Sequence, residues 1–149
     1  FLAQPPRFEV VVEIIETASL RADSVHAEIA KLRAAGIRTY IDDFGSGYCN
    51  IQTLAALAVD GVKLDRSFGM APPESLAARM LGHAIEMIRV AGRGILVEGV
   101  ETAERLEWLR AAASVDYAQG YLISRPLSID NFARFIAADR APVTARRAA

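Results

Sequence analysis

The sequence predicts an α/β fold made of parallel βαβ units. Three observations carry the prediction. Short apolar runs rich in β-branched residues alternate with amphipathic stretches, and the alternation recurs five times. The short runs are almost continuously apolar, as strands covered on both faces are. Glycine and proline fall at the seams, with Gly36 and Gly92 behind helical stretches and Pro72-Pro73 and Pro126 ahead of them. An open doubly wound sheet and part of a (β/α)8 barrel both satisfy this pattern.

The first strand is expected over 8–15, where Val10, Val11, Val12, Ile14 and Ile15 cluster. A helix follows over about 21–35, with Val25, Ile29 and Leu32 at helical spacing and Gly36 as its stop. The second strand covers 38–43 and runs into the loop Phe44-Gly45-Ser46-Gly47. Ile51, Leu54 and Leu57 place a short helix over 50–57, and the third strand spans 61–65. A long helix occupies about 74–91, with Leu76, Met80, Leu81, Ile85 and Ile88 on the face expected to enter the core. The fourth strand spans 94–100. A helix over 102–112 turns Leu106 and Leu109 inward, and the fifth strand lies around 117–123. Ser128 reads as an N-cap, and Phe132, Phe135 and Ile136 mark a last helix. Residues 1–140 are expected to form one partial domain and 141–149 a frayed tail.

Composition narrows the function. With 149 residues, the chain is one domain or a piece of one. It is 52% hydrophobic and 23% charged, which supports a buried core and argues against disorder. Seventeen Lys and Arg against 18 Asp and Glu leave a net charge of −1, so DNA binding is not expected. The single cysteine, Cys49, excludes an internal disulfide and a zinc site built from several cysteines. No apolar run approaches the ~20 residues of a membrane span. The chain begins at Phe1 with no visible signal peptide, and is expected to be cut from something longer. The lysines are Lys31 and Lys63 alone, which makes the place of Lys63 in a strand notable.

Polar residues recur where the strands end. Glu13, Asp42 with Asp43, Lys63 with Asp65, Glu98 and Gln119 each lie in or at the end of a different strand candidate. A carboxylate inside an apolar strand is costly unless it is paired or binds a metal. In barrels, functional groups come from the C-terminal ends of several strands and share one mouth. Lys63 and Asp65 are two apart and are expected on the same face, where a salt bridge between them is one reading. Asp42 and Asp43 cannot both face inward in a regular strand, but a strand end loosened by Gly45 and Gly47 could bring both to one site. Clustered carboxylates call for a divalent cation, and oxygen ligands suit Mg²⁺ or Mn²⁺. Two such ions make a phosphodiester-cleaving site, with Lys63 acting on water or on a phosphate oxygen. Glu9 and Glu13 share a strand face, so pattern alone leaves open which one reaches the site. His26 and His83 read as ordinary helix residues, Tyr48 and Trp108 as packing, and Cys49 as inert.

Several segments together resemble EAL domains, the bacterial phosphodiesterases of cyclic di-GMP. Asp42-Asp43-Phe44-Gly45-Ser46-Gly47-Tyr48 is similar to the family's DDFG[ST]GY loop. Val62-Lys63-Leu64-Asp65-Arg66-Ser67-Phe68 resembles its K-[IL]-D-R-S-F strand, and Val97-Glu98-Gly99-Val100-Glu101-Thr102 its EGVET strand end. Gln119-Gly120-Tyr121-Leu122-Ile123-Ser124-Arg125-Pro126 resembles QGYxxSRP. Glu13-Ile14-Ile15-Glu16 resembles E-x-T-E, with Ile15 where Thr is usual. The set runs in family order along nearly the whole chain.

The resemblance implies a TIM-like barrel of which this chain holds about five C-terminal βα units of eight. A whole barrel needs about 250 residues. The Glu-Ala-Leu segment and a downstream Asn ligand would lie in the missing N-terminal part. It implies hydrolysis of cyclic di-GMP to linear pGpG with two Mg²⁺ or Mn²⁺ ions. Glu13, Asp42, Asp43 and Glu98 would be metal ligands, with Asp42 bridging. Lys63 would hold or activate the attacking water, and Gln119 would orient water or phosphate. Glu16 would brace the loop from Asp43 to Tyr48, which in this family links the site to homodimerisation. Asp65 and Arg66 would lie near substrate. A diguanylate cyclase (GGDEF) or sensor domain could precede the domain, and a cytoplasmic location follows from the nucleotide, with a membrane anchor in a missing segment remaining open.

Two functions compete for the parent: an active phosphodiesterase, or a degenerate domain that binds cyclic di-GMP or a protein without catalysis. The chain alone is expected to be inactive. Its sheet edges need completion by an unseen segment, another chain or a second copy.

Overall fold

The computed structural model describes residues 9–15, 23–46, 51–72, 74–112 and 115–138. Five strands form one sheet: β1 (Val11–Ile14), β2 (Arg38–Phe44), β3 (Gly61–Leu64), β4 (Gly94–Val97) and β5 (Tyr117–Ala118). Helices α1 (Asp23–Ala34), α2 (Ile51–Ala56), α3 (Arg66–Met70), α4 (Leu76–Val90) and α5 (Ala103–Ala112) lie between them along the chain, and α6 (Ile129–Ala138) follows β5. Every neighbouring pair is parallel, and the order in space is the order in sequence. A doubly wound sheet reverses direction at a switch point. This sheet does not. Helices α1, α2, α4 and α5 all pack their apolar residues into the one core cluster on a single face of the sheet, as in the wall of a barrel.

The two faces of the sheet are chemically different. Ile41, Val62, Leu64, Ile95 and Val97 are all fully buried on the helix side. They meet Ile29 of α1, Leu54 of α2, Leu81, Ile85 and Ile88 of α4 and Leu109 of α5 in one apolar cluster. The other face carries Glu13, Tyr40, Lys63, Leu96 and Tyr117, as strand alternation and the pairing register require. Tyr40 lies flat over β3: a Cβ on Gly61 would sit 2.4 Å from its ring. Low on this face Arg38 pairs with Glu9 at 2.5 Å and with the Tyr117 hydroxyl at 3.2 Å.

Several expectations shift. The fifth strand has two residues rather than about seven, because the chain turns at Gly120, whose missing side chain lets it pass 2.1 Å (Cβ position) from the Val100 carbonyl oxygen. On α4, Leu81, Ile85 and Ile88 enter the core, but Leu76 and Met80 are exposed. Ile51 of α2 is exposed while Leu54 and Leu57 are buried. Helix α4 starts at Leu76 rather than about residue 74, and Ser75 caps it, accepting the Ala78 N–H at 3.1 Å. Ser128 does cap α6, accepting from the Asn131 N–H. Glu16, Tyr48, Cys49 and residues 141–149 lie outside the described residues.

Candidate active site

The C-terminal ends of four strands bring sequence-distant groups together. Lys63 is the centre. Its Nζ lies 2.8 Å from Glu13 Oε2 of β1, 2.9 Å from Asp42 Oδ1 of β2 and 2.5 Å from Glu98 Oε1 just past β4. The Lys63 side chain is 5% exposed, whereas Glu13 is 45% exposed and forms the open rim. Burial pushes the Lys63 ammonium toward deprotonation, but the Glu13, Glu98 and Asp42 carboxylates outweigh it and hold its pKa well above the ordinary lysine value. Lys63 is therefore a charged donor, with no acceptor to offer.

Asp42 and Asp43 owe their different positions to a β-bulge. From Ile41 to Phe44 the chain advances three residues while β3 advances two, from Val62 to Leu64. The extra residue is Asp43, in the left-handed region at φ 52°. Asp42 thereby faces Lys63, and Phe44 turns back to the apolar side against Leu64. Asp43 itself is exposed. Gly45 follows at φ 99°, with the Phe68 ring 2.3 Å from where its Cβ would be, so both backbone angle and space demand glycine.

The remaining candidates divide. Asp65 does not pair with Lys63. Its carboxylate caps α3 by accepting the Ser67 N–H at 2.9 Å. Burial raises its pKa, but the hydrogen bonds from Ser67 and Arg66 outweigh this and hold the carboxyl below its usual value. Arg66 is exposed at the start of α3. Gln119 is exposed just beyond β5, and its backbone continues the sheet, donating to Val97 O at 2.9 Å and accepting from Val100 N–H at 3.0 Å. Arg105, which drew no notice in the sequence, is buried beside this end of the sheet, and a lone arginine among ordinary helix residues carries no pattern that would single it out.

The donors suit a hard divalent cation in kind. Three carboxylates against one ammonium leave two formal negative charges in excess. Asp42 Oδ1 is buried and, although the ammonium sits 2.9 Å away, no aligned hydrogen bond reaches it. Such an atom is a natural ligand oxygen. The carboxylates are not drawn into a ready cage: among the described residues, no three His, Cys, Asp or Glu side chains are arranged to hold an ion by themselves. Lys63 occupies the point where they converge.

The chain resembles known proteins in sequence and in fold. The family profile described as the EAL domain matches residues 1–126. The chain is 36% identical over 136 residues to the cyclic di-GMP phosphodiesterase NbdA of Pseudomonas aeruginosa, covering 88% of this chain and 17% of that protein. Among solved structures it resembles the EAL domain of Mycobacterium smegmatis DcpA, with a TM-score of 0.75, 32% identity, and 92% of this chain against 62% of that one. It also resembles Klebsiella pneumoniae BlrP1, solved with manganese and cyclic di-GMP, with a TM-score of 0.67, 30% identity, and 78% of this chain against 30% of that one. The chain thus spans a minor part of the curated relatives' length. The match over residues 1–126 includes the strand ends that carry Glu13, Asp42, Lys63 and Glu98, and it establishes that the chain belongs to the EAL domain family.

Proposed function

We propose that this chain is the C-terminal part of a phosphodiesterase domain that hydrolyses cyclic di-GMP to linear pGpG with two Mg²⁺ or Mn²⁺ ions. One observation carries the reading: Glu13, Asp42 and Glu98, from three different strands, converge on Lys63. Packing alone gives no reason for four charged groups to meet at one end of a sheet whose helix-side face is apolar.

Glu13, Asp42, Asp43 and Glu98 would hold the ions, and Asp42 Oδ1, buried without an aligned hydrogen bond, is the oxygen in need of a partner. The ions supply Lewis acidity to the phosphodiester and lower the pKa of water. Lys63 acts as an electrostatic group: its ammonium donates to the attacking water or to a phosphate oxygen, and it keeps the carboxylates from scattering. Gln119, on the same rim, donates or accepts to orient water or phosphate. Asp65 acts through α3, and Arg66, exposed on that helix, meets a substrate phosphate. The domain comprises residues 1–140, with 141–149 as a tail. Asp43 through Tyr48 forms part of a homodimer contact braced by Glu16, a GGDEF or sensor domain precedes the domain, and the protein works on the cytoplasmic side. Among the described residues no helix is long and apolar enough to cross a membrane.

The test uses a complete EAL domain containing this chain, with Mn²⁺, following pGpG release. Lys63→Ala and Glu98→Ala each lower turnover by about 10²-fold or more, the order seen when a preorganised charge is removed. Unchanged turnover in both variants would sink the assignment. A second reading, binding without hydrolysis, draws on Ile15 standing where the family has Thr. It predicts nucleotide binding with no pGpG from the unmodified complete domain.

A further inference from the structure

Glu98 stands just past β4, with its carboxylate 2.5 Å from Lys63 Nζ and its backbone against α3. The short helix α3 bridges the two strands, starting above β3 and ending against β4. Its start is fixed by Asp65, which accepts the Ser67 N–H. Its last turn touches the Glu98 backbone directly: a Cβ on Gly69 would lie 1.6 Å from the Glu98 carbonyl oxygen. Gly99, at φ 72°, meets Arg66 in the same way, with its Cβ position 2.9 Å from the Arg66 Cβ. No side chain fits between α3 and the strand end, so wherever α3 sits, Glu98 must follow.

Arg105 of α5 is what holds α3. Its Nε donates to Gly69 O at 2.9 Å and its Nη2 to Phe68 O at 2.6 Å. The guanidinium stacks 4.1 Å from the centre of the Trp108 ring. Arg105 is only 6% exposed, and its Nη1 is buried with no hydrogen-bond partner. Burying a cation in this way is expensive, and an apolar side chain would fill the space at less cost. What an apolar residue lacks is the planar fork that takes two successive carbonyls of a helix end, Gly69 O and Phe68 O, the second of which also accepts the Ala71 N–H at 3.3 Å.

We propose that Arg105 is a positioning residue for Glu98: it clamps α3 against the end of β4 and thereby sets the Lys63–Glu98 contact. The proposal rests on Lys63 and Glu98 forming the site, but its test needs no turnover, so its failure and that of the proposed activity are separable. With lysines only at 31 and 63, ¹⁵N-lysine labelling of this chain gives a two-residue ammonium spectrum. Lys31 is exposed and its ammonium exchanges with water rapidly, whereas Lys63 is enclosed. Glu98→Gln marks how the Lys63 signal moves when that contact is weakened. Arg105→Met is expected to move the signal in the same direction, and Arg105→Lys to move it less. Leu109→Ala, a core truncation on the same helix that leaves the clamp intact, is expected to leave it in place, with all variants compared at equal folded fraction by circular dichroism. An unmoved Lys63 signal in Arg105→Met overturns the proposal, as does an equal shift in Leu109→Ala. If the methionine variant does not fold, Arg105→Lys decides: a shift toward the Glu98→Gln position supports the clamp, and a signal identical to the unmodified chain overturns it.

Discussion

Asp60 ties three strands together from a single side chain and its backbone. Its Oδ2 accepts the Thr39 N–H at 2.9 Å, its Oδ1 accepts from Arg33 at 3.0 Å, and its carbonyl accepts the Gly94 N–H at 2.9 Å. Burial raises its carboxyl pKa, but the bonds from Thr39 and Arg33 outweigh this and hold it below the ordinary value of 3.8. A carboxyl depressed in the folded state binds its proton less readily than in the unfolded chain. The stabilisation is therefore full at neutral pH and is lost as pH falls through the ordinary value toward the lower folded one. Asp60→Asn should flatten the acid limb of a stability-against-pH curve followed by urea unfolding, and Asp60→Ala should cost about 1–3 kcal/mol by leaving the buried Thr39 N–H unpaired. The residue scale is also where sequence reasoning stopped short. Alternation puts Glu9 and Glu13 on one face without saying which serves the site. The register with β2 separates them, sending Glu9 to Arg38 and Glu13 up to Lys63.

At the scale of elements, the repeated strand and helix pattern was legible because burial on one face imposes a period on the sequence. Helix α3 was not, since five residues, Arg-Ser-Phe-Gly-Met, are too few to show a period and include a glycine. Its reality lies in contacts, the Asp65 cap and the Arg105 clamp, which join residues far apart in the chain. The bulge in β2 was half legible: adjacent aspartates signalled an irregular strand end, but only the pairing with β3 shows that Asp43 is the extra residue. Two substitutions separate a cap from a close approach. Ser75→Ala should lower stability by about 1 kcal/mol through the lost cap on α4, without disturbing the Lys63 cluster. Gly69→Ala should do more, because its new methyl would lie inside the Glu98 carbonyl, and thermal unfolding by circular dichroism should show the larger drop for Gly69→Ala.

Across the whole molecule, the apolar surface is unevenly covered. The helix side of the sheet is sealed, but α6 and the segment before it leave Tyr121, Ile123, Leu127, Ile129 and Phe132 at least 40% exposed. Ile123, Leu127 and Phe132 line one groove, and exposed apolar surface of this kind promotes association. The chain should therefore self-associate with rising concentration in analytical ultracentrifugation, and Phe132→Asp with Ile129→Lys should shift it toward monomer while leaving the circular dichroism spectrum unchanged. An equal degree of association in the double variant would place the contact elsewhere.

The strictly sequential order of the sheet also has a kinetic meaning. Each strand leans only on its neighbours, so opening should begin at the outer members and work inward, like a ladder losing rungs from its sides. β3 is buried at all four of its positions, whereas β1 alternates between exposed and half-covered residues. Amide hydrogen exchange should accordingly be slowest in β3 and fastest in β1. Glu13 rides on the outer strand of this 149-residue chain, so in the chain by itself the cluster should lose that carboxylate before Lys63 and Glu98 part. A neighbour paired to β1 should slow its exchange and leave β3 unchanged, which would make Glu13 the member of the cluster most sensitive to what completes the sheet.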